Sequence, residues 1–444
     1  MDRSAEQSLL MEAGRAFLLG ETTPHLAALA AGPLDWGRIV RRAETERLGA
    51  LLYAVLSPLA LPAPSRGRLR AAWLGARRQY LLGSQQLTRV LSAFEREGVP
   101  VIPLRGPTLA DLLYRDPGLR PFTDLDLLVH EGNLSRTLSL LSGLGYHHME
   151  AGLPLSHERT WRHAASFVAE APEEIPIDLH WGMVDYPGVV PAAAITHQDL
   201  WDRAVRVEGP YGVRWELCPE DLLITLALHW VIHHALSGLI WQLDLALVIL
   251  RHSRALARNI REVRSGVETG PPPCPSPALG RGNQGVCPSP SIGEGTQGEP
   301  GEGVLGICDS SGLDWEAVTE RADRWRVRGP VFFALREVRD RLEAAVPAWV
   351  LDRLRPGGLR PALFDWLCQR GQGYRERLDY LVPFLVMDRG PDMLRALVSA
   401  AVPPAGWLRC RYGKASVLGA YMAHCARIGR VCARTARASI GPVR

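Results

Sequence analysis

Arg120-Pro-Phe-Thr-Asp-Leu-Asp-Leu-Leu-Val129 is the stretch whose reading decides this chain. From Thr123 to Val129 apolar residues alternate with acids, which predicts a strand. Successive side chains of a strand point to opposite faces. Asp124 and Asp126 therefore share one face, and Leu125, Leu127 and Val129 go into the core on the other. Two carboxylates held a few ångströms apart repel each other unless a cation lies between them. Such oxygen pairs suit Mg²⁺, which binds through one or two carboxylates together with substrate phosphates and waters. A solvated strand edge also carries short acidic repeats, but the interleaved apolar residues here argue for a single wet, functional face.

Working outward, Val99–Leu104 is a short β-branched run that ends at Arg105-Gly106, and a helical stretch follows from Thr108 to Tyr114. A strand end running into a helix places backbone N–H groups and a cation near a phosphate. Arg120, just before the acids, adds a second guanidinium for phosphate charge. Downstream, Asn133–Leu144 reads as a helix stopped by Gly145. Trp161–Glu170 and Ile175–His180 read as two strands. Asp178 lies in the last of these, where it can complete a two-metal site. The order strand, helix, strand, helix, strand, strand gives a compact α/β unit over 99–216.

The flanks read as helical. Ala5–Leu19, Trp36–Leu56 and Gly67–Gly98 show apolar spacing of three and four, with Asp35 placed to cap the helix starting at Trp36. Residues 217–265 read as a helical pair, and 313–444 as a C-terminal helical region with a basic tail. Between them, 266–312 is dense in Pro, Gly and Ser and holds two Cys-Pro-Ser-Pro copies. Such a segment cannot offset its ordering entropy by burial, and is expected to be a disordered insert.

At 444 residues the chain has room for two or three domains, and 22% charged residues is the composition of a soluble globular protein. A net charge of +4 does not by itself call for a nucleic-acid partner. The eight cysteines are scattered without ligand spacing, and the N-terminus lacks the basic start and apolar run of a secretory signal. Both point to a reduced, cytoplasmic setting. Residues 221–250 are apolar enough to raise the question of a membrane span. They also contain Asp221, His229, His233, His234 and Asp244, so two buried core helices are expected and no integral membrane segment.

The run VPVIPLRGPTLADLLYRDPGLRPFTDLDLLV closely resembles the bacterial uncharacterised nucleotidyltransferase family of the DNA polymerase beta-like superfamily. Tyr114, Asp116, Pro117, Arg120, Asp124, Asp126 and Val129 match that family's signature. Ile177-Asp-Leu-His-Trp181 resembles its later acidic strand. Pro219–Leu223 with His229, His233 and Asp244 resembles its helical follow-on, and Pro404–Gly413 its C-terminal region. Two departures stand out: Arg105 replaces the usual lysine, and Pro107 removes an N–H from the phosphate turn.

The resemblance implies an α+β fold: a small nucleotidyltransferase-type α/β core with a mixed sheet, flanked by N- and C-terminal helical regions. It implies transfer of a nucleoside monophosphate from an NTP to an unidentified acceptor (a small molecule, a protein or an RNA). Asp124, Asp126 and Asp178 would be the catalytic, metal-holding residues for two Mg²⁺ ions, with Arg105, Gly106 and Arg120 on the nucleotide. The alternative is a catalytically inactive module that binds a nucleotide or docks a partner. A weaker third reading is RNA binding through the arginine-rich C-terminus. His180 is expected to orient Asp178, to contact phosphate, or to be a structural histidine beside Trp181. His229 and His233, four apart on one helix face, lack the glutamate of a zinc protease and are expected in core or interdomain hydrogen bonds.

Overall fold

A computed structural model describes residues 5–149, 163–171, 173–184, 194–195, 197–265, 312–369, 382, 386–414 and 416–440. Its centre is a five-stranded mixed sheet in the order β1-β2-β5-β4-β3. The strands are β1 (Val101–Pro103), β2 (Leu125–Val129), β3 (Tyr146–His148), β4 (Ala164–Ala169) and β5 (Ile177–His180). β2 runs parallel to β5 and antiparallel to β1, while β4 is antiparallel to both its neighbours. Pro103 is tolerated because β1 is an edge strand, where a missing ladder donor costs least.

Alternation along β2 divides the sheet as the sequence leads one to expect. Leu125, Leu127 and Val129 pack with Ile177 and Leu179 beneath Leu87, Val90, Leu91 and Phe94. Those four lie on α5 (Ala63–Arg96), whose apolar stripe covers this face. Burying each such side chain contributes about 1.5–3 kcal/mol. The helix stops where Gly98 adopts φ +63° and Val99 N–H donates to the Phe94 carbonyl at 2.9 Å, a closing turn that favours glycine.

Around this core lie α1 (Ala5–Leu19), α2 (Pro24–Ala30), α3 (Trp36–Thr45), α4 (Gly49–Leu56), α6 (Pro107–Leu113), α7 (Leu134–Gly143) and α8 (His197–Arg203). The expected single helix from Trp36 to Leu56 is in fact two, broken at Arg47, which takes φ +58°. Asp35 does cap the first: its Oδ1 accepts from the Arg38 N–H at 2.9 Å. Two strands went unanticipated besides β3. They are β6 (Val205–Gly209) and β7 (Gly212–Glu216), a hairpin turned at Gly212.

The helical follow-on consists of α9 (Pro219–Leu228), one π-helical turn (His229–His233) and α10 (Leu239–Ser265). α10 is a shared spine. Leu239 and Leu243 pack into the N-terminal helices, whereas Leu245, Val248 and Ile249 join the core formed with α9 and the C-terminal helices. The latter include α11 (Trp315–Arg324), α12 (Arg328–Leu342), α13 (Ala348–Leu354), α14 (Arg360–Gln369), α15 (Gly390–Ala401), α16 (Ala405–Tyr412) and α17 (Val417–Ile440). Among the described residues no helix is long and apolar enough to cross a membrane. The segment expected to be disordered, 266–312, lies outside the described residues except at its last position, and within the C-terminal region expected to be helical, 370–381 and 383–385 also lie outside them.

Candidate metal centre

The strand register brings the three acids together. Asp126 and Asp178 are Cα partners across the parallel β2–β5 pair, and Asp124 precedes β2 by one residue. One carboxylate oxygen from each of Asp124, Asp126 and Asp178 lies within 4.8 Å of the others. This is an all-oxygen donor set, the kind that hard divalent cations prefer. The three line a cavity of about 330 Å³ together with Arg105, Gly106, Ser166 and His180.

Each acid has different company. Asp126 is buried, and Arg105 grips both its oxygens, with Nε to Oδ2 at 2.9 Å and Nη2 to Oδ1. His180 Nε2 lies 3.0 Å from the same Oδ1. Burial alone would push this carboxyl up, but the Arg105 charge and the His180 hydrogen bond hold it well below the usual carboxylate range. Asp124 goes the other way: burial, then repulsion from Asp126, pushes it up to about 6. Asp178 has a neutral partner, Ser166 Oγ, at 2.5 Å. The protein thus gathers more negative charge than its own cations balance, and a bound divalent cation would relieve Asp124.

Gly106 caps α6 with φ +76° and ψ −138°, a region essentially reserved for glycine. The turn therefore presents bare backbone to the cavity. Arg120 also lines it, but the guanidinium is buried and bound elsewhere. Its Nε and Nη2 donate to Asp244 on α10 at 3.0 and 2.8 Å, and Tyr114 Oη donates to the same carboxylate at 2.8 Å. His180 meets Asp126 and not Asp178, so its place is beneath the first acid pair.

Two wall residues, Arg47 and Trp241, were not singled out from sequence. They line the cavity together with His229, His233 and His234, the first two of which were expected in core or interdomain hydrogen bonds. His229 Nε2 and His234 Nε2 lie 3.0 Å apart, and His234 stacks on Trp241 with ring centres 4.5 Å apart. Burial drives His229 well below its ordinary value and His234 down to about 3, so both imidazoles are neutral near pH 7. The four-residue spacing of His229 and His233 was the only signal in the sequence for this wall. A π-helical turn at a functional site is a recurrent arrangement.

A carboxylate trio on paired strands, beside a glycine turn that opens a helix, is the arrangement of a nucleotidyltransferase-type site. The family model described as uncharacterised nucleotidyltransferase matches residues 32–264, and the chain belongs to that family. The match takes in all six expected site residues together with Arg47, Asp244 and the histidine wall. Pro404–Gly413 lies beyond it. A comparison with curated proteins gave no match.

Proposed function

We propose that the protein is a Mg²⁺-dependent nucleotidyltransferase of the DNA polymerase beta-like superfamily, bacterial in origin and cytoplasmic, where NTPs are at hand. In the reaction an acceptor oxygen bonds to the α-phosphorus of an NTP as the bond to pyrophosphate breaks. The convergence of Asp124, Asp126 and Asp178 is the observation that carries this reading. Divalent cations held by these acids would supply charge neutralisation for the phosphates and activation of the acceptor oxygen.

The chain's own residues do the rest. Arg105 and His180 fix the orientation of Asp126, so the central ligand is preorganised. Asp178, hydrogen-bonded to the Ser166 hydroxyl and not to a cation, would take the acceptor's proton. Gly106 lets the α-phosphate side of the substrate approach the backbone, and Arg105 adds positive charge beside it. Arg120 supports the nucleotide side indirectly, by locking the segment before Asp124 to α10 through Asp244. The acceptor is a small molecule, a protein hydroxyl or an RNA end.

A transfer screen with NTPs labelled at the α-phosphate, run on the purified protein and on Asp126→Asn, tests the reading. Label should move to an acceptor with the wild type and not with the variant. Equal transfer by both would sink it. The Arg105–Asp126 pair also favours a second reading, a nucleotide-binding module without catalysis, because the arginine already occupies the central acid. Calorimetric NTP binding without transfer to any acceptor would select that alternative.

A further inference from the structure

The nucleotidyltransferase reading needs a cation for the phosphate chain, yet the two arginines nearest the acids are engaged. Arg105 is held by Asp126 and Arg120 by Asp244. Arg47 is different. It lines the same cavity, on the wall that includes Trp241, and its guanidinium carbon sits 5.7 Å from the Trp241 ring centre. Among the described residues it has no ion-pair partner. The two glutamates closest in sequence are spent elsewhere: Glu44 pairs with Arg68 at 2.7 Å, and Glu46 accepts from the Leu239 N–H at 2.7 Å.

Its backbone adds a second observation. Arg47 closes α3 in the left-handed region, with Leu48 N–H donating to the Ala43 carbonyl at 2.7 Å. Glycine is the residue of least cost there. Arg326 and Glu343 end other helices in the same way, so the strain alone singles out nothing. What distinguishes Arg47 is that the left-handed turn is combined with a place on the wall of the acidic cavity. It also borders a neighbouring apolar cavity of about 350 Å³ lined by Ala72, Gly75 and Phe122.

We infer that Arg47 is the phosphate-gripping residue of this site: a guanidinium on the Trp241 platform, facing the acids, that binds the polyphosphate of the NTP. The inference rests on the proposed transferase reading and adds a residue that the nucleotide motif does not contain. Guanidinium suits this task because its planar fork gives paired hydrogen bonds to phosphate oxygens.

The test is calorimetry on the full chain with inorganic tripolyphosphate and with each of the four common NTPs, in Mg²⁺. Arg47→Ala should weaken both kinds of ligand by about 10- to 100-fold, the range for hydrogen bonds to a charged group. Arg47→Lys should recover part of that loss. Arg47→Gly should weaken phosphate binding equally while raising the thermal midpoint, a pair of opposite shifts that general misfolding would not produce. Mn²⁺ binding to the acids should stay within about threefold of wild type in each variant. If wild type binds these ligands and Arg47→Ala and Arg47→Gly bind them equally well, the inference fails and the transferase reading stands. If wild type binds Mn²⁺ but neither tripolyphosphate nor any NTP, both fall together.

Discussion

Asp126 and Asp178 face each other as direct partners on parallel strands, although 52 positions separate them in the chain. That pairing, with Asp124 one residue before β2, makes the acids a single site. Substituting Asp126→Asn or Asp178→Asn should each lower Mn²⁺ affinity by more than about tenfold and abolish metal-dependent NMP transfer. Calorimetric Mn²⁺ titration reads the first effect independently of any acceptor. Full metal affinity in both variants would remove the acids from the site.

The raised Asp124 makes a pH prediction. Its folded value, about 6, lies above the ordinary value of 3.8, so the folded state holds the proton more tightly. Stability from this group is therefore present at low pH and is lost as pH rises through 4 to 6, by roughly 2–3 kcal/mol in metal-free protein. Asp124→Asn should then be more stable than wild type at pH 8 and equal to it at pH 4. Denaturant melts in EDTA at the two pH values check this.

Metal binding should follow the same proton. Because a ligand carboxyl must be ionised to bind, Mn²⁺ affinity should be flat above about pH 6.5 and fall by up to tenfold per pH unit below about 6. A titration series from pH 5 to 8 gives the profile, and a flat one would mean that Asp124 is not a ligand.

Removing the carboxylate beneath Arg120 should be costly. Asp244→Ala strands a buried guanidinium and should cost about 3–5 kcal/mol in chemical denaturation. Tyr114→Phe removes one hydrogen bond to the same carboxylate and should cost about 1 kcal/mol. Comparable losses in the two variants would contradict this ranking.

Gly106→Ala tests the turn. The added Cβ has ordinary contacts, 3.6 Å from the Asp124 carbonyl oxygen and the Leu125 side chain, so the penalty comes from φ +76° and not from a clash. A stability loss of about 1–3 kcal/mol is expected, with NTP binding weakened more than Mn²⁺ binding. Equal weakening of both ligands would place Gly106 outside the phosphate path.

Local signals were legible where the physics is local. The stop at Gly98, the cap at Asp35 and the alternation over Thr123–Val129 each depend on a few neighbouring residues. The break at Arg47 was not legible, because apolar spacing continues across it and an arginine is not an expected left-handed residue. β3 is three residues long, too short to show a period. The hairpin of β6 and β7 did carry a signal, alternation on either side of Gly209-Pro-Tyr-Gly212.

The amino-acid sequence by itself determined that Asp124 and Asp126 share a face, that a glycine turn precedes them, and that Asp178 sits in another strand. Side-chain alternation and backbone sterics decide these matters within a few residues. Tertiary structure alone decided which charges neutralise each other. It gave Arg105 to Asp126 and Arg120 to Asp244, and it left Arg47 on the cavity wall beside three histidines. An ion pair depends on distance and desolvation between groups far apart in the chain, 124 positions for Arg120 and Asp244. Only the packing of the segments that carry Arg47, Trp241 and Asp244 supplies those quantities.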